Sequence, residues 1–134
     1  MQTTWTGYGM GIDVPWTQDE AIERVTVALK EQGFGVLTTI DVQQTLKDKI
    51  GVEREPYVIL GACNPSLANQ ALEAEPEIGL LLPCNVVVYQ HNGRTRASFM
   101  DPVAALGLTG RDDITDLAMQ VRAKLEHVMK ALSE

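Results

Sequence analysis

Asn92-Gly93 stands between two stretches rich in apolar residues, and it constrains this chain more than any other short string. Both residues tolerate a positive φ, which a two-residue hairpin turn requires at both central positions. The dipeptide therefore predicts two antiparallel strands, roughly Gly79 to Gln90 and Arg94 to Met100. Pro83 inside the first of them predicts a bulge or a sheet edge, because proline removes a ladder donor.

A hairpin needs further strands and an apolar cover, and the rest of the chain supplies both. Tyr57 to Cys63 is a continuous apolar run bounded by Pro56 and Asn64, the pattern of a strand covered on both faces. Phe34 to Ile40 alternates, with Phe34, Val36, Thr38 and Ile40 on one side. Thr3 to Asp13 reads as one strand, with Thr4, Thr6, Tyr8, Met10 and Ile12 on one face and Trp5, Gly7, Gly9 and Gly11 on the other. Three glycines on one face leave a shallow trough that a packed helix, a ligand or another backbone can approach closely.

Helices separate these strands. Thr17 and Glu20 have capping-box spacing after Pro15-Trp16, and Trp16 can staple against Ala21. Ala21, Ile22, Val25, Ala28 and Leu29 repeat at helical period up to a stop at Gly33. Asp41 and Gln44 open a short helix carrying Val42, Leu46 and Ile50, which ends at Gly51. Asn64 as cap and Pro65 in the first turn begin another, with Leu67, Ala68, Ala71 and Leu72, which stops before Pro76. After a loop of small residues from Asp101 to Gly110, a helix from Asp113 to Leu132 carries a narrow heptad seam of Ile114, Ala118, Val121, Leu125, Val128 and Leu132. At about 30 Å it is long enough to cross a sheet. Its seam either packs on that sheet or pairs with a second copy.

The summed pattern is α+β, a mainly antiparallel sheet with helices on one face. The 134 residues leave room for a single domain spanning 1–134, and 45% apolar with 22% charged residues is ordinary globular composition. A net charge of −7 and the lack of a basic cluster argue against a nucleic-acid partner. No apolar run reaches the length of a membrane span, and Met1 to Trp5 lack the basic start and apolar stretch of a leader, so a soluble cytoplasmic protein is expected. Cys63 and Cys84 are then expected as thiols rather than a disulfide.

Tyr8-Gly9, Gly33-Phe34-Gly35-Val36-Leu37 with Ile40-Asp41, Leu60-Gly61-Ala62-Cys63-Asn64-Pro65, and Gly79-Leu80-Leu81-Leu82-Pro83-Cys84-Asn85-Val86-Val87-Val88 follow one another in an order that resembles the bacterial Domain of Unknown Function 302 family. The resemblance runs from Thr6 to the region of Met100. It implies a fold similar to the TATA-binding-protein-like arrangement, strand, helix, four strands, helix, in a single copy. It also implies a homodimer, and it implies neither DNA binding nor any established activity.

The candidate chemistry centres on the cysteines. Cys63 lies where a strand feeds the Asn64-capped helix, and the positive helix end there can lower a thiol pKa. Cys84 follows Pro83, although free cysteine is also a common core residue. A first reading is a dimeric small-ligand binding or sensing protein with its pocket near Gly7, Gly9 and Gly11 and with Cys63, Asn64, Cys84 and Asn85 as polar groups. An alternative is a thiol-dependent enzyme or sulfur carrier with Cys63 as nucleophile and Cys84 as resolving thiol. A third is an interaction module acting through the Asp113–Leu132 helix. His91 and His127 have no ligand-like spacing to the cysteines, so neither a metal nor another cofactor is expected. Asp41 is explained by capping. Arg94 and Arg96, on one side of the last strand, can hold an anion or simply guard a sheet edge.

Overall fold

The computed structural model describes residues 3–134; Met1 and Gln2, on which part of the leader reading rests, lie outside them. Six strands form one sheet: β1 (Thr3–Trp5), β2 (Gly9–Val14), β3 (Gly35–Asp41), β4 (Tyr57–Cys63), β5 (Cys84–His91) and β6 (Arg94–Met100). Their spatial order is β1-β2-β6-β5-β4-β3, and every neighbouring pair is antiparallel. Asn92 (φ 51°) and Gly93 (φ 79°) make the expected tight turn between β5 and β6.

The helices are α1 (Gln18–Glu31), α2 (Val42–Ile50), α3 (Pro65–Ala74), α4 (Pro102–Leu106) and α5 (Asp112–Leu132). Side-chain caps at Thr17, Asp41 and Asn64 accept from Glu20 N, Gln44 N and Leu67 N, as the sequence predicts. Gln18 ties the start of α1 to the sheet by donating to the Val88 carbonyl at 2.7 Å. With β1 and the short helices set aside, the order β2-α1-β3-β4-β5-β6-α5 is the implied strand, helix, four strands, helix.

One face of the sheet carries the core. Met10, Ile12, Leu60, Ala62, Val86, Val88, Ala97 and Phe99 point to it and meet Val25 and Leu29 of α1 and Leu125 and Val128 of α5. A second cluster, Ala71, Ile78, Leu106, Ile114 and Ala118, fastens α3, α4 and the start of α5. Each fully buried aliphatic or aromatic side chain contributes roughly 1.5–3 kcal/mol.

Five expectations change. Thr3 to Asp13 is not one strand: the chain folds back between Thr6 and Gly9, where Thr6 N donates to Gly9 O at 2.7 Å, and β1 pairs with β2. The strand expected from Gly79 begins only at Cys84, because Pro76–Leu81 is a 3₁₀ turn; Pro83 precedes the sheet, and the register shift falls in β3 between Val36 and Thr38. β4 is not covered along both faces: Leu60 and Ala62 are buried toward the core, while Tyr57 and Ile59 opposite stay partly exposed. The segment from Asp101 to Gly110 is helical, with Asp101 accepting from Val103 N to cap α4. Finally, the fold-back reverses the expected faces of Thr4 and Trp5, which lie beside Gly11 and Met10. Of the two readings of the α5 seam, packing within its own chain holds: Ile114, Ala118, Leu125 and Val128 are wholly buried, so the seam is not free to join a second copy.

Candidate functional site

Strand alternation sends one side chain in two to the face without the main core. The registers arrange them in rows. Asp13, Arg96, Tyr89 and Tyr57 form one row, and Gly11, Ser98, Val87 and Ile59 form the next; Gly9 stands beside Met100 in the third, on which Asn85 pairs with Gly61. Because Gly9 and Gly11 raise no side chains, a trough of about 810 Å³ opens over β2 and β6. Its rims are the β1–β2 turn with Thr6, Gly7 and Tyr8, and Ala104, Ala105 and Leu108 beyond β6. The main helices α1 and α5 pack on the opposite face and α4 only borders the rim, so the glycine trough is open rather than filled by a helix.

The two glycines are required for different reasons. A Cβ at Gly9 would stand 2.9 Å from the Phe99 carbonyl oxygen, which the sheet holds in place. A Cβ at Gly11 would fall against Ser98 Oγ and stand 2.6 Å from Arg96 Nη2. Gly11 thus gives the Arg96 side chain room to lie across the strand. From there Arg96 donates to Asp13 Oδ1 at 3.1 Å and to Thr4 Oγ1, and Arg94 reaches Asp13 Oδ2 at 3.5 Å. Tyr57 and Tyr89 stack at 5.1 Å between ring centres, with the Arg54 guanidinium 5.1 Å over Tyr57.

The expected pocket residues divide between two places. Gly7, Gly9, Gly11 and Asn85 line the trough. Cys63, Asn64 and Cys84 line instead a small apolar cavity of about 30 Å³ beneath α3, walled by Phe34, Leu67, Ala71, Leu106 and Val121. Both cysteines are free, Cys84 buried and Cys63 half-buried. The helix end does not activate Cys63. Burial pushes its thiol up, and burial with the neighbouring Cys63 pushes Cys84 up from 9.0 to about 11. Asn64 spends its side-chain oxygen on the Leu67 amide. His91 and His127 are exposed and far from this cavity's lining, and among the described residues no group of three or more metal-ligating side chains occurs.

Against this geometry the sequence comparisons are direct. The chain matches the domain of unknown function DUF302 over residues 10–132. It belongs to the DUF302 family. The match extends past the region of Met100, where the resemblance read from the sequence stops, to the end of α5. The fold is similar to the crystal structure of an uncharacterized conserved DUF302 protein from Bacillus stearothermophilus, with a TM-score of 0.87 and 32% identity over 92% of this chain and 97% of that one. No curated protein matches the sequence. No helix of this DUF302 chain, among the described residues, is long and apolar enough to cross a membrane.

Sequence reasoning missed Tyr57, Tyr89, Ser98, Met100 and Leu108 as trough residues. The period-2 signal for the strand residues was present, but their convergence depends on β6 lying between β2 and β5.

Proposed function

We propose that this DUF302 chain is a cytoplasmic small-ligand binding or sensing protein that uses the trough over Gly9 and Gly11 and works as a homodimer. The observation that carries the reading is the 810 Å³ trough itself, whose size lies in the usual range for ligand sites of about 300–1,000 Å³. Apolar walls with a few converging polar groups, here Thr4, Asn85, Arg96 and Ser98, are the normal make-up of such a site. The free cysteines suit a reducing compartment.

The homodimer is supported by the sheet edge. β3 pairs only with β4, and its outer edge is seven residues long with no charge before Asp41. Leu37 (66%) and Ile40 (47%) are exposed on it, and α2 beyond it buries no residue completely. Unpaired edges of this kind invite another strand, and β3 of a second copy, antiparallel about a two-fold axis, matches it in length and self-complementarity. Among the described residues β1 at the other edge has three residues, with Trp5 under Arg122.

The thiol enzyme or sulfur carrier remains a second reading because Cys63 and Cys84 line one cavity. It ranks behind the first, since both thiols are held protonated and the cavity holds about one water.

A thermal-shift screen of metabolites and anions, followed by native mass spectrometry, tests the binding reading. Stabilisation by a ligand, abolished in a Ser98→Trp variant that fills the trough, is expected. Stabilisation that persists in that variant, or none in the whole screen, overturns it.

A further inference from the structure

The trough has a direction. Along β6 its lining runs from the guanidinium of Arg96, through the hydroxyl of Ser98, to the thioether of Met100, and beyond the strand to Ala104, Ala105 and Leu108. Along β2 the same line passes over Gly11 and Gly9 to Tyr8. Tyr8 and Leu108 are 76% and 78% exposed, so the end away from Arg96 presents large apolar groups with no cover.

The charged end has a surplus of positive charge. Two guanidiniums, Arg94 and Arg96, face the single carboxylate of Asp13, which leaves that cluster one charge positive in a chain whose net charge is −7. Among the described residues Arg96 commits two of its five N–H groups, to Asp13 and Thr4, which leaves donors for an incoming anion. With 22% of its side chain exposed, it is screened less than a surface arginine, and charge-assisted bonds to it are correspondingly stronger. The far end carries no charged group: Asn85 offers an amide, Thr6 spends its hydroxyl on the Gly9 carbonyl, and Met100, Ala104, Ala105, Leu108 and the ring of Tyr8 supply apolar surface.

We infer that the ligand is a linear anionic amphiphile, a medium-chain carboxylate or its phosphate analogue, with its head on Arg96 over Gly11 and its tail along Gly9 and Met100 toward Leu108 and Tyr8. The inference rests on the trough being a binding site and specifies what it takes. The four strand rises from Arg96 to Met100 span about 13 Å, which calls for an extended tail rather than a compact ring. Each methylene laid on the apolar end raises affinity about fourfold, so affinity rises with chain length until the tail passes Leu108.

The test is calorimetric titration of the full chain with hexanoate, octanoate and decanoate below their micelle concentrations, beside decanol and decyltrimethylammonium. Decanoate is expected to bind at least about tenfold more tightly than decanol, more tightly than hexanoate, and more weakly as salt rises. Arg96→Gln is expected to abolish the preference over decanol, and Leu108→Glu, at an exposed position that does not burden folding, to lower decanoate affinity about tenfold. Decanol bound as tightly as decanoate, and equally by Arg96→Gln, overturns the anionic head while leaving a binding trough. Decyltrimethylammonium bound best overturns it in the same way. No binding by any of the five overturns both this inference and the binding reading beneath it.

Discussion

The guanidinium of Arg96 lies across Gly11, 2.6 Å from where a Cβ at that position would stand. The absence of one methyl group therefore decides the electrostatics of the trough. It lets a strand residue fold sideways, reach Asp13 and Thr4, and line the trough.

The two trough glycines should respond differently to alanine. At Gly9 the obstacle is the Phe99 backbone carbonyl, which cannot move without breaking the β2–β6 ladder. Gly9→Ala is expected to cost about 1–3 kcal/mol. At Gly11 the obstacles are the ends of the Ser98 and Arg96 side chains, which can rotate away. Gly11→Ala should cost less than about 1 kcal/mol while weakening ligand binding. Urea unfolding of the two variants side by side checks the order, and equal costs would contradict it.

Cys84 makes stability depend on pH at the alkaline end. Its folded-state thiol titrates near 11, above the ordinary 9.0 of the unfolded chain. Between those values the native state keeps a proton that the unfolded state has lost, so stability is full below about pH 9 and falls as pH rises toward 11. The loss is on the order of 2 kcal/mol. Urea midpoints measured from pH 8 to 11 should show the decline in the parent chain and a smaller one in Cys84→Ala. Alkylation should reach Cys63 well before Cys84.

Leu125 belongs to the core, not to an interface between copies. It is wholly buried where α5 meets α1 and the sheet. Leu125→Ala is expected to cost about 2–5 kcal/mol, and Leu125→Glu to unfold the chain. A folded Leu125→Glu variant with an altered assembly state would contradict this placement.

The proposed homodimer would join its copies through the β3 edge. Leu37→Lys with Thr39→Lys puts two charges on an exposed edge and should leave circular dichroism and melting temperature unchanged. Sedimentation velocity should show a dimer for the parent and a monomer for the variant. A parent dimer that the lysines leave intact places the interface elsewhere, and a monomeric parent removes the homodimer altogether.

Local chemistry made much of the fold legible. Asn92-Gly93, the caps at Thr17, Asp41 and Asn64, and the α5 seam each act within a few residues, so their outcome is written in the chain. The glycine alternation of the first strands pointed to a trough for the same reason. What could not be read depended on partners distant in sequence. Arg96 meets Asp13 across 83 positions, and Thr4 across 92. The fold-back at Thr6–Gly9 hides in an unbroken alternation and reverses it: Thr4 comes to lie beside Gly11 and Trp5 beside Met10, so the residues before the turn change faces. Cys63 and Asn85 looked like parts of one site because both lie at strand ends. One turns to the cavity under α3 and the other to the open face.

Mapping amide chemical shifts on the 15N-labelled chain during titration with decanoate tests the account most directly. It predicts saturable changes gathered at Gly9, Gly11, Val87 and the Arg96–Met100 strand, with the amides of Ala62, Cys63 and Asn64 unmoved. Changes gathered instead around Cys63 and Cys84, or none as decanoate is added, would contradict it.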